Sequence, residues 1–312
     1  MQVMLIDFHR KMLADRVRHD AFRRALAAHI ANGARTVADL GAGTGVLSFF
    51  ARELGATECW LYDPGTVLDL AEALATANRI DGLHFVPVHS LEAEDPPPVD
   101  LVVAEVLGNF AYEEGVLDTL RDAQRFLAEG GRLMPSALVQ FAQPVTSDRF
   151  DRELTSFRTV GHGLDLELAE RIARNNMYVH PIEARDLLSV QPAQWDAVDL
   201  VGEFSSAREG SVSWDAPQTT RVYGFALWWE AELAPGVTLS TSPHLERTHW
   251  DQIYLPLSTP IDAVRGDAIG LAIACETGGG EGGIAMRWTA LHSRAGESLG
   301  EQTLDIARGY VE

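Results

Sequence analysis

The stretch Asp39-Leu40-Gly41-Ala42-Gly43-Thr44-Gly45 decides the fold of the first half of the chain. It follows a short apolar run at 36–40 and precedes a segment at 46–54 with helical spacing. Its three glycines let the backbone turn tightly and approach a ligand without a Cβ in the way. A strand, a glycine loop and a helix in this order are typical of an α/β domain that binds a nucleoside.

The segments around this loop divide the chain into two regions that differ in predicted secondary structure. Up to residue 132, apolar strand-like runs alternate with helical segments, which predicts a parallel sheet covered on both faces. The strand candidates are 58–63, 83–88 and 99–105, and the helix candidates are 67–77 and 116–127, the latter stopping at Gly130-Gly131. Beyond residue 132, short β-rich stretches separated by turn signals predict an antiparallel barrel or sandwich. These stretches are 137–144, 198–204, 222–232, 253–257, 269–275 and 284–291, with one helical interruption at 164–176 and a hairpin turn at 278–283.

We therefore predict an α/β, Rossmann-like domain with an N-terminal helix over residues 1–140. An antiparallel β-barrel or sandwich domain should follow over 141–312.

Composition narrows the range of partners. The formal net charge of −20 argues against nucleic acid as a general partner, since phosphate affinity comes from clustered Lys and Arg. No apolar run is long enough for a membrane helix, and the N-terminus lacks the pattern of a signal peptide. Cys59 and Cys275 are the only cysteines, which excludes a cysteine-built zinc site and leaves no metal site to predict. Few cysteines also favour a reducing, cytoplasmic location.

The kind of nucleoside is less closely defined by these residues. A dinucleotide loop has the form G-x-G-x-x-G, whose third glycine would fall at Val46, so the dinucleotide interpretation is weakened. Asp63 closes the next strand, where a carboxylate accepts both hydroxyl hydrogens of a ribose. The pattern favours S-adenosylmethionine over a nicotinamide dinucleotide, while a tight turn without a ligand stays open.

Two acidic positions follow the strand at 99–105. Glu105 ends this strand and so points at the cofactor crevice, and Glu114 lies nine positions later. Two close carboxylates repel each other unless a cation sits between them, which makes the pair a candidate cation site. In the alternative interpretation, Glu113 and Glu114 are helix N-terminal charges that face water.

Four motifs in order resemble those of the protein arginine methyltransferase family. Met12-Leu-Ala-Asp15-Arg-Val-Arg18 matches M-L-x-D-x-V-R, and the glycine loop follows it. Glu105, Gly108 and Glu114 keep the double-glutamate spacing E-x-x-G-x(5)-E. Thr248-His249-Trp250, preceded by Ser240-Thr-Ser-Pro243, matches the Thr-His-Trp loop of the second domain. The matches span residues 12 to 250, and the chain is similar in size to compact bacterial members.

The resemblance implies the fold above, with S-adenosylmethionine as cofactor and S-adenosylhomocysteine as product. It implies that Arg18 holds the cofactor carboxylate and that Asp63 accepts from the ribose. Ser90 stands where the family often has an adenine-contacting glutamate, so that contact is weakened. The complete set of expected cofactor residues is Met12, Arg18, Asp39, Gly41, Gly43, Gly45, Asp63, Ser90 and Glu105.

The resemblance also implies the arginine site and the assembly. Glu105 and Glu114 would bind the guanidinium as catalytic residues, Asp15 and His249 would pair across the site, and Trp250 would support the substrate pocket. Carboxylates suit this role because a guanidinium is planar, always protonated and bound through bidentate, charge-assisted hydrogen bonds. A helical arm at about 160–188 would make a head-to-tail homodimer.

Several departures from the family bear on the substrate. Val106-Leu107 replaces the usual Trp-Met, Asn109 replaces a frequent Tyr, and Val3 stands at the position of an N-terminal tyrosine. These residues shape the arginine pocket, so they leave the acceptor open between free L-arginine, slightly favoured, and a protein or peptide arginine. A third hypothesis is a catalytically inactive relative that serves as a binding partner.

Overall fold

The parallel sheet forms as the strand–helix alternation predicts. The structure is a computed structural model that describes residues 2–277 and 284–308, apart from the side chains of residues 2–5, 8 and 114. Five parallel strands have the order β3-β2-β1-β4-β5. They are β1 Thr36–Leu40, β2 Glu58–Tyr62, β3 Leu83–Val86, β4 Val99–Ala104 and β5 Leu127–Met134. The helices are α1 Gln2–Ala14, α2 Arg16–Ala31, α3 Val46–Leu54, α4 Val67–Asn78 and α5 Val116–Ala123.

The predicted stop of a helix at Gly130-Gly131 is wrong. Helix α5 ends at Ala123, a 3-10 turn covers Gln124–Phe126, and β5 runs through both glycines. The register of β5 against β4 shifts between Val99 and Leu101, and Gly130 has a φ of 77°. A glycine at such an irregularity interrupts the strand pattern in the sequence without ending the strand.

Two antiparallel sheets make up the second half, in agreement with the predicted barrel or sandwich. One has the order β7-β12-β10-β6-β8, with β11 paired to β10, and the other has the order β15-β14-β13-β9. Their strands are β6 Ala137–Val145, β7 Tyr178–His180, β8 Ala193–Asp199, β9 Ala207–Asp215, β10 Thr220–Ala234, β11 Val237–Ser240, β12 Gln252–Ala263, β13 Ala268–Glu276, β14 Ala285–Arg294 and β15 Glu297–Asp305. Strand β6 spans the predicted domain division at residue 140, which therefore falls within a strand.

Some predicted segments of this half differ from the structure. The strand expected at 198–204 lies earlier, as β8 over Ala193–Asp199, because its pairing with β6 ends at the register Ala137–Asp199. The helix expected at 164–176 is shorter, with α6 at Arg149–Leu154 before it and α7 at Glu167–Arg174. The predicted turn at 278–283 lies outside the described residues.

Neither cysteine forms a disulfide bond. Cys59 is buried in β2 and Cys275 is buried in β13, and burial raises the pKa of each thiol to about 12. In the part of the chain that the structure describes, no helix has the length and apolarity needed to cross a membrane.

Candidate active site

A cavity of about 400 Å³ lies where the parallel sheet meets the antiparallel half. Its walls come from α1, the glycine loop after β1, the end of β2, the segment after β4 and the loop before β12. Of the predicted site residues, those that line it are Met12, Arg18, Asp39, Gly41, Gly43, Asp63, Glu105, His249 and Trp250. The sequence motifs, more than 200 residues apart at their ends, thus meet at one cavity.

The glycine loop has a backbone that other residues adopt at a cost. Gly41, Gly43 and Gly45 have φ angles of 72°, 54° and 77°, in the left-handed region that favours glycine. A Cβ at Gly41 would lie 2.6 Å from Val106 Cγ1, which is too close for any real contact. The Gly43 amide donates to Asp63 Oδ2 at 2.9 Å, which ties the loop to the end of β2. The left-handed glycines and this hydrogen bond therefore define the shape of the loop.

Asp39, at the start of the glycine loop, connects the loop to helix α3. It is almost fully buried, and its Oδ2 accepts a hydrogen bond of 2.7 Å from Ser48 Oγ on α3. Burial raises the pKa of Asp39 to about 6, although the Ser48 hydrogen bond acts to lower it. Asp39 therefore joins β1 to α3 as well as facing the cavity.

Arg18 and Glu105 form an ion pair within the cavity wall. Arg18 Nε donates to Glu105 Oε2 at 2.8 Å, and Nη2 donates to the same oxygen. Both side chains are about 6% exposed, so water screens the pair weakly. Arg18 Nη1 is buried without a hydrogen-bond partner among the described residues. Because both of these bonds go to Oε2, the described residues leave Glu105 Oε1 able to accept from a ligand and Arg18 Nη1 able to donate to one.

Asp15 and His249 pair across the site. Asp15 Oδ2 accepts from the His249 backbone N–H and lies 2.8 Å from His249 Nδ1, while Oδ1 accepts from the Arg18 backbone N–H at 2.9 Å. Burial raises the pKa of Asp15, but these hydrogen bonds outweigh it and hold the pKa below its usual value. The ionised carboxylate places the ring proton on Nδ1. His249 Nε2 is buried and has no hydrogen-bond partner among the described residues.

The acidic segment, residues 105–114, is held by the antiparallel half through three hydrogen bonds at residues 107–109. Trp250 Nε1 donates to the Leu107 carbonyl at 2.8 Å, and Trp229 Nε1 donates to the Gly108 carbonyl at 3.0 Å. The Asp251 backbone N–H donates to Asn109 Oδ1 at 2.9 Å. The two indoles also pack edge to face, with centroids 5.0 Å apart. Trp250 therefore positions the acidic segment as well as lining the cavity.

The second glutamate is only partly located. The backbone of Glu114 lies in a 3-10 turn at Glu113–Gly115, but its side chain is outside the described residues. Its neighbour Glu113 lines the cavity, and a Cβ at Gly108 would lie 2.2 Å from Glu113 Oε2. The glycine at 108 thus lets the turn approach the start of the segment. The sequence pattern did not single out Glu113 as a cavity residue.

His9 is a further cavity residue that the sequence reasoning missed. It is buried on α1, three residues before Met12, so both lie on one face of the helix. A Cβ at Gly43 would lie 3.2 Å from His9 Cε1, so the ring lies against the glycine loop. Burial lowers the pKa of His9, with Asp63 opposing and Arg18 adding to this effect. Its helical spacing from Met12 was the only signal in the sequence.

Two predicted cofactor residues lie off the cavity wall. Gly45 ends the glycine loop and precedes α3, and Ser90 begins a 3-10 turn, buried, with its carbonyl accepting from Arg125 Nη2. Neither residue lines the cavity. Their contact with a cofactor stays a prediction.

The arrangement defines a class of enzyme. A glycine loop at the end of a parallel strand, a carboxylate on the next strand and an acidic cavity beside them are typical of a transferase with a nucleoside cofactor and a cationic acceptor. Arg18 Nη1, which is buried and has no partner among the described residues, fits an anionic group of such a cofactor. Gly41, which has no side chain, fits the close approach of that cofactor.

Comparison with known proteins identifies the family. The profile of the arginine methyltransferase oligomerization subdomain matches residues 137–280, and that of the ribosomal protein L11 methyltransferase matches residues 24–160. Protein arginine N-methyltransferase 6 of Xenopus laevis is 33% identical over 274 residues, which cover 82% of this chain and 79% of that protein. The histone-arginine methyltransferase CARMER of Drosophila persimilis is 26% identical over 83% of this chain and 51% of its own length.

Solved structures agree on the fold. The protein arginine methyltransferase 1 enzyme–prozyme heterotetrameric complex of Trypanosoma brucei, determined with AdoHcy, superposes with a TM-score of 0.87 at 21% identity, covering 96% of this chain and 97% of the other. Protein arginine methyltransferase 10 of Arabidopsis thaliana superposes with a TM-score of 0.80 at 22% identity, with the same coverage. The chain belongs to the protein arginine N-methyltransferase family.

Proposed function

We propose that this chain transfers a methyl group from S-adenosylmethionine to a guanidino nitrogen of an arginine residue in a protein or peptide. The observation that carries this proposal is the charge of the cavity. Among the described residues, four carboxylates line it, those of Asp39, Asp63, Glu105 and Glu113, against one guanidinium, that of Arg18. A cavity of this sign favours a cationic acceptor beside a cationic sulfonium.

The glycine loop and its neighbours would hold the cofactor. Arg18 Nη1 is available to its carboxylate, Asp63 lies at the strand end suited to ribose hydroxyls, and Gly41 and Gly43 allow close approach. His9 covers the loop from α1. When bound, S-adenosylmethionine supplies an electrophilic methyl group on a sulfonium.

Glu105 and Glu114 would bind the guanidinium. Arg18 holds Glu105 by its Oε2, which leaves Oε1 to accept from the substrate. Two carboxylates fix the guanidinium plane and orient one terminal nitrogen, a positioning effect worth several kcal/mol, about 7–11 in ideal cases. Their negative field also draws the positive charge away from the nitrogen that must attack.

The Asp15–His249 pair would receive the proton that the substrate loses. Asp15 holds the His249 ring through Nδ1, which leaves the buried Nε2 as an acceptor at the cavity. Asp15 also stabilises the imidazolium that would form. Glu114 is the alternative acceptor, since it would contact the guanidinium directly.

The slight preference for free L-arginine gains no support from the comparisons. The relatives are named as protein or histone arginine methyltransferases, which favours a residue within a polypeptide as the acceptor. In this proposal, residues 1–140 bind the cofactor and carry the two glutamates, and residues 141–312 complete the substrate site.

A direct test compares three acceptors with methyl-labelled S-adenosylmethionine. Mass spectrometry should show methylated arginine in a Gly-Arg-rich peptide, with much less product from free L-arginine and none from a matched peptide with Lys in place of Arg. Product from free arginine alone would reverse the choice of acceptor. Methylation of neither would contradict the proposed activity.

We also propose a head-to-tail homodimer through the arm at 160–188. The oligomerization-subdomain profile covers this region, and the arm exposes four large apolar side chains, those of Val160, Leu164, Leu168 and Val179. The arm is held to the antiparallel half by Arg174, which contacts Glu170 and donates to the Leu257 carbonyl at 3.0 Å. An apolar surface on a rigidly held arm favours a partner subunit.

Sedimentation tests this assembly. Leu164→Glu with Leu168→Glu should convert dimers to monomers and lower activity. Leu299→Glu, at an exposed leucine on β15, is the matched control and should leave the dimer intact. A wild-type monomer at micromolar concentration would contradict the proposed arm.

A further inference from the structure

The acidic segment is held by the antiparallel half at a second place, beyond the contacts of the two tryptophans. Tyr112 immediately precedes the Glu113–Gly115 turn, and its hydroxyl donates to Asp196 Oδ2 at 2.7 Å. Asp196 lies on β8 and is itself paired with Arg208 on β9, through Nε at 2.8 Å and Nη2 at 2.5 Å. One hydrogen bond thus joins the turn to an ion pair between two strands.

This cluster of Tyr112, Asp196 and Arg208 is well buried. Tyr112 is fully buried, and the side chains of Asp196 and Arg208 are 6% and 17% exposed. Burial, followed by the charge of Asp196, raises the pKa of the Tyr112 phenol well above its usual value, so the hydroxyl remains a donor. A hydrogen bond to a charged, desolvated acceptor is stronger than one between neutral groups. The hydroxyl is therefore held in one place.

The cluster belongs to a row of side chains that underlies the acidic segment. Trp229 on β10, Gln140 on β6 and Asp196 on β8 are direct neighbours in the strand register. Trp229 contacts the segment at Gly108 and Asp196 contacts it at Tyr112. Gln140, between them, is fully buried, and its amide has no hydrogen-bond partner among the described residues. Trp229 and Asp196, at the two ends of the row, thus hold the acidic segment at Gly108 and at Tyr112.

We propose that Asp196 and Arg208 are positioning residues for the transfer reaction, because they hold Tyr112 and through it set the place of the Glu113–Gly115 turn. This inference rests on the proposed function, since it assigns the second glutamate of the turn to the guanidinium. Glu105, at the other end, is fixed by Arg18. The distance between the two glutamates is then set by β8 and β9 rather than by the parallel sheet that carries Glu105.

The test uses Tyr112→Phe, which removes the hydroxyl but keeps the ring and the Asp196–Arg208 pair. Its kcat on the Gly-Arg-rich peptide should fall about tenfold or more, since small displacements of aligned groups reduce rates strongly. Cofactor affinity, measured by calorimetry, should stay within about twofold, because Arg18, Asp63 and the glycine loop are untouched. A general loss of structure would lower both quantities together.

Two further variants keep the test specific. Gln140→Met replaces a buried side chain of the same row whose amide has no hydrogen-bond partner among the described residues, and it should retain the wild-type kcat. Asp196→Asn removes the charge that holds Tyr112, and combining it with Tyr112→Phe should lose no more than Asp196→Asn alone. Wild-type kcat in Tyr112→Phe, an equal loss in Gln140→Met or an equal loss of cofactor affinity would overturn the inference. A wild type that methylates no arginine would instead contradict the proposed function.

Discussion

The two sides of the cavity are built in different ways. The glycine loop at Asp39–Gly45 takes its shape from neighbouring residues, namely three left-handed glycines and hydrogen bonds from elements that follow directly in the chain. The acidic segment from Glu105 to Glu114 takes its place from distant ones. Trp229, Trp250 and Asp196 reach it from strands or loops that lie about 80 to 140 residues away in sequence.

The two sides of the cavity therefore depend on different parts of the chain. A loop fixed by its own sequence retains its ligand geometry in many folds of this kind. A segment fixed by a second domain responds to changes in that domain, which makes it the place where substrate choice and rate are set. Variants on the two sides should therefore affect different quantities.

The largest expected effect is on the acidic side. Glu105→Gln should lower kcat by about 100-fold to 1000-fold, the size of effect seen when a group that stabilises transition-state charge is removed. Gln keeps the shape, but it removes the charge and presents a donor to a substrate that also donates. Steady-state kinetics on the arginine peptide would measure the change.

Cofactor affinity is the control for Glu105→Gln. It should change little, because Arg18 loses a partner but keeps Nη1 for the cofactor carboxylate. A variant that loses affinity and turnover in parallel would show that the two sides are not separable.

A smaller effect, on stability, is expected from the glycine-loop side. Burial raises the pKa of Asp39 to about 6 in the folded chain, against about 4 in an unfolded one. A raised carboxyl pKa stabilises the fold below about pH 4, and this contribution is lost as the pH rises through about 6. The loss amounts to about 3 kcal/mol for a shift of about two pKa units.

Asp39→Asn tests this pH dependence of stability. The substitution keeps the shape of the side chain, and Asn still accepts from Ser48. Between pH 4 and pH 7, the free energy of unfolding of the variant should gain about 3 kcal/mol relative to the wild type. Denaturant titration of the cofactor-free protein would measure it. A difference that does not vary with pH would show that Asp39 titrates normally.

The smallest of the three effects concerns the ribose contact. Asp63→Ala should weaken S-adenosylmethionine binding by about 1–3 kcal/mol, because it removes a charged acceptor and the tie to the Gly43 amide. Asp69→Ala, at an exposed carboxylate on α4 away from the cavity, is the matched control and should leave affinity unchanged. Calorimetry in which both variants bind as the wild type does would contradict the assigned cofactor site.

The sequence predicted the glycine-loop side in detail because its determinants are local. Strand β1 and helix α3 have the predicted bounds, and the three glycines make the tight turn that the sequence predicts. Motif resemblance also grouped Arg18, Asp15, Glu105 and His249 into one site. Strand and helix periodicity could not have predicted this grouping.

The hydrogen bonds from the antiparallel half to the acidic segment could not be predicted from sequence. Nothing local to Trp229 or Asp196 indicates that β10 and β8 pass beneath Gly108 and Tyr112, because that depends on how β6 pairs with both strands. For the same reason Glu113 looked like a solvated helix charge, whereas it lines the cavity. Long-range pairing, not composition, places these groups.

The central claim is that the acidic segment presents its second carboxylate to an arginine, and it is tested most directly by comparing Glu114→Gln with Glu113→Gln. Turnover of the arginine peptide should be nearly abolished in Glu114→Gln with cofactor affinity retained. Glu113→Gln, one residue away with the same loss of charge, should lose at most about tenfold. Near-normal kcat in Glu114→Gln would contradict the account, even with the fold and the cofactor site intact.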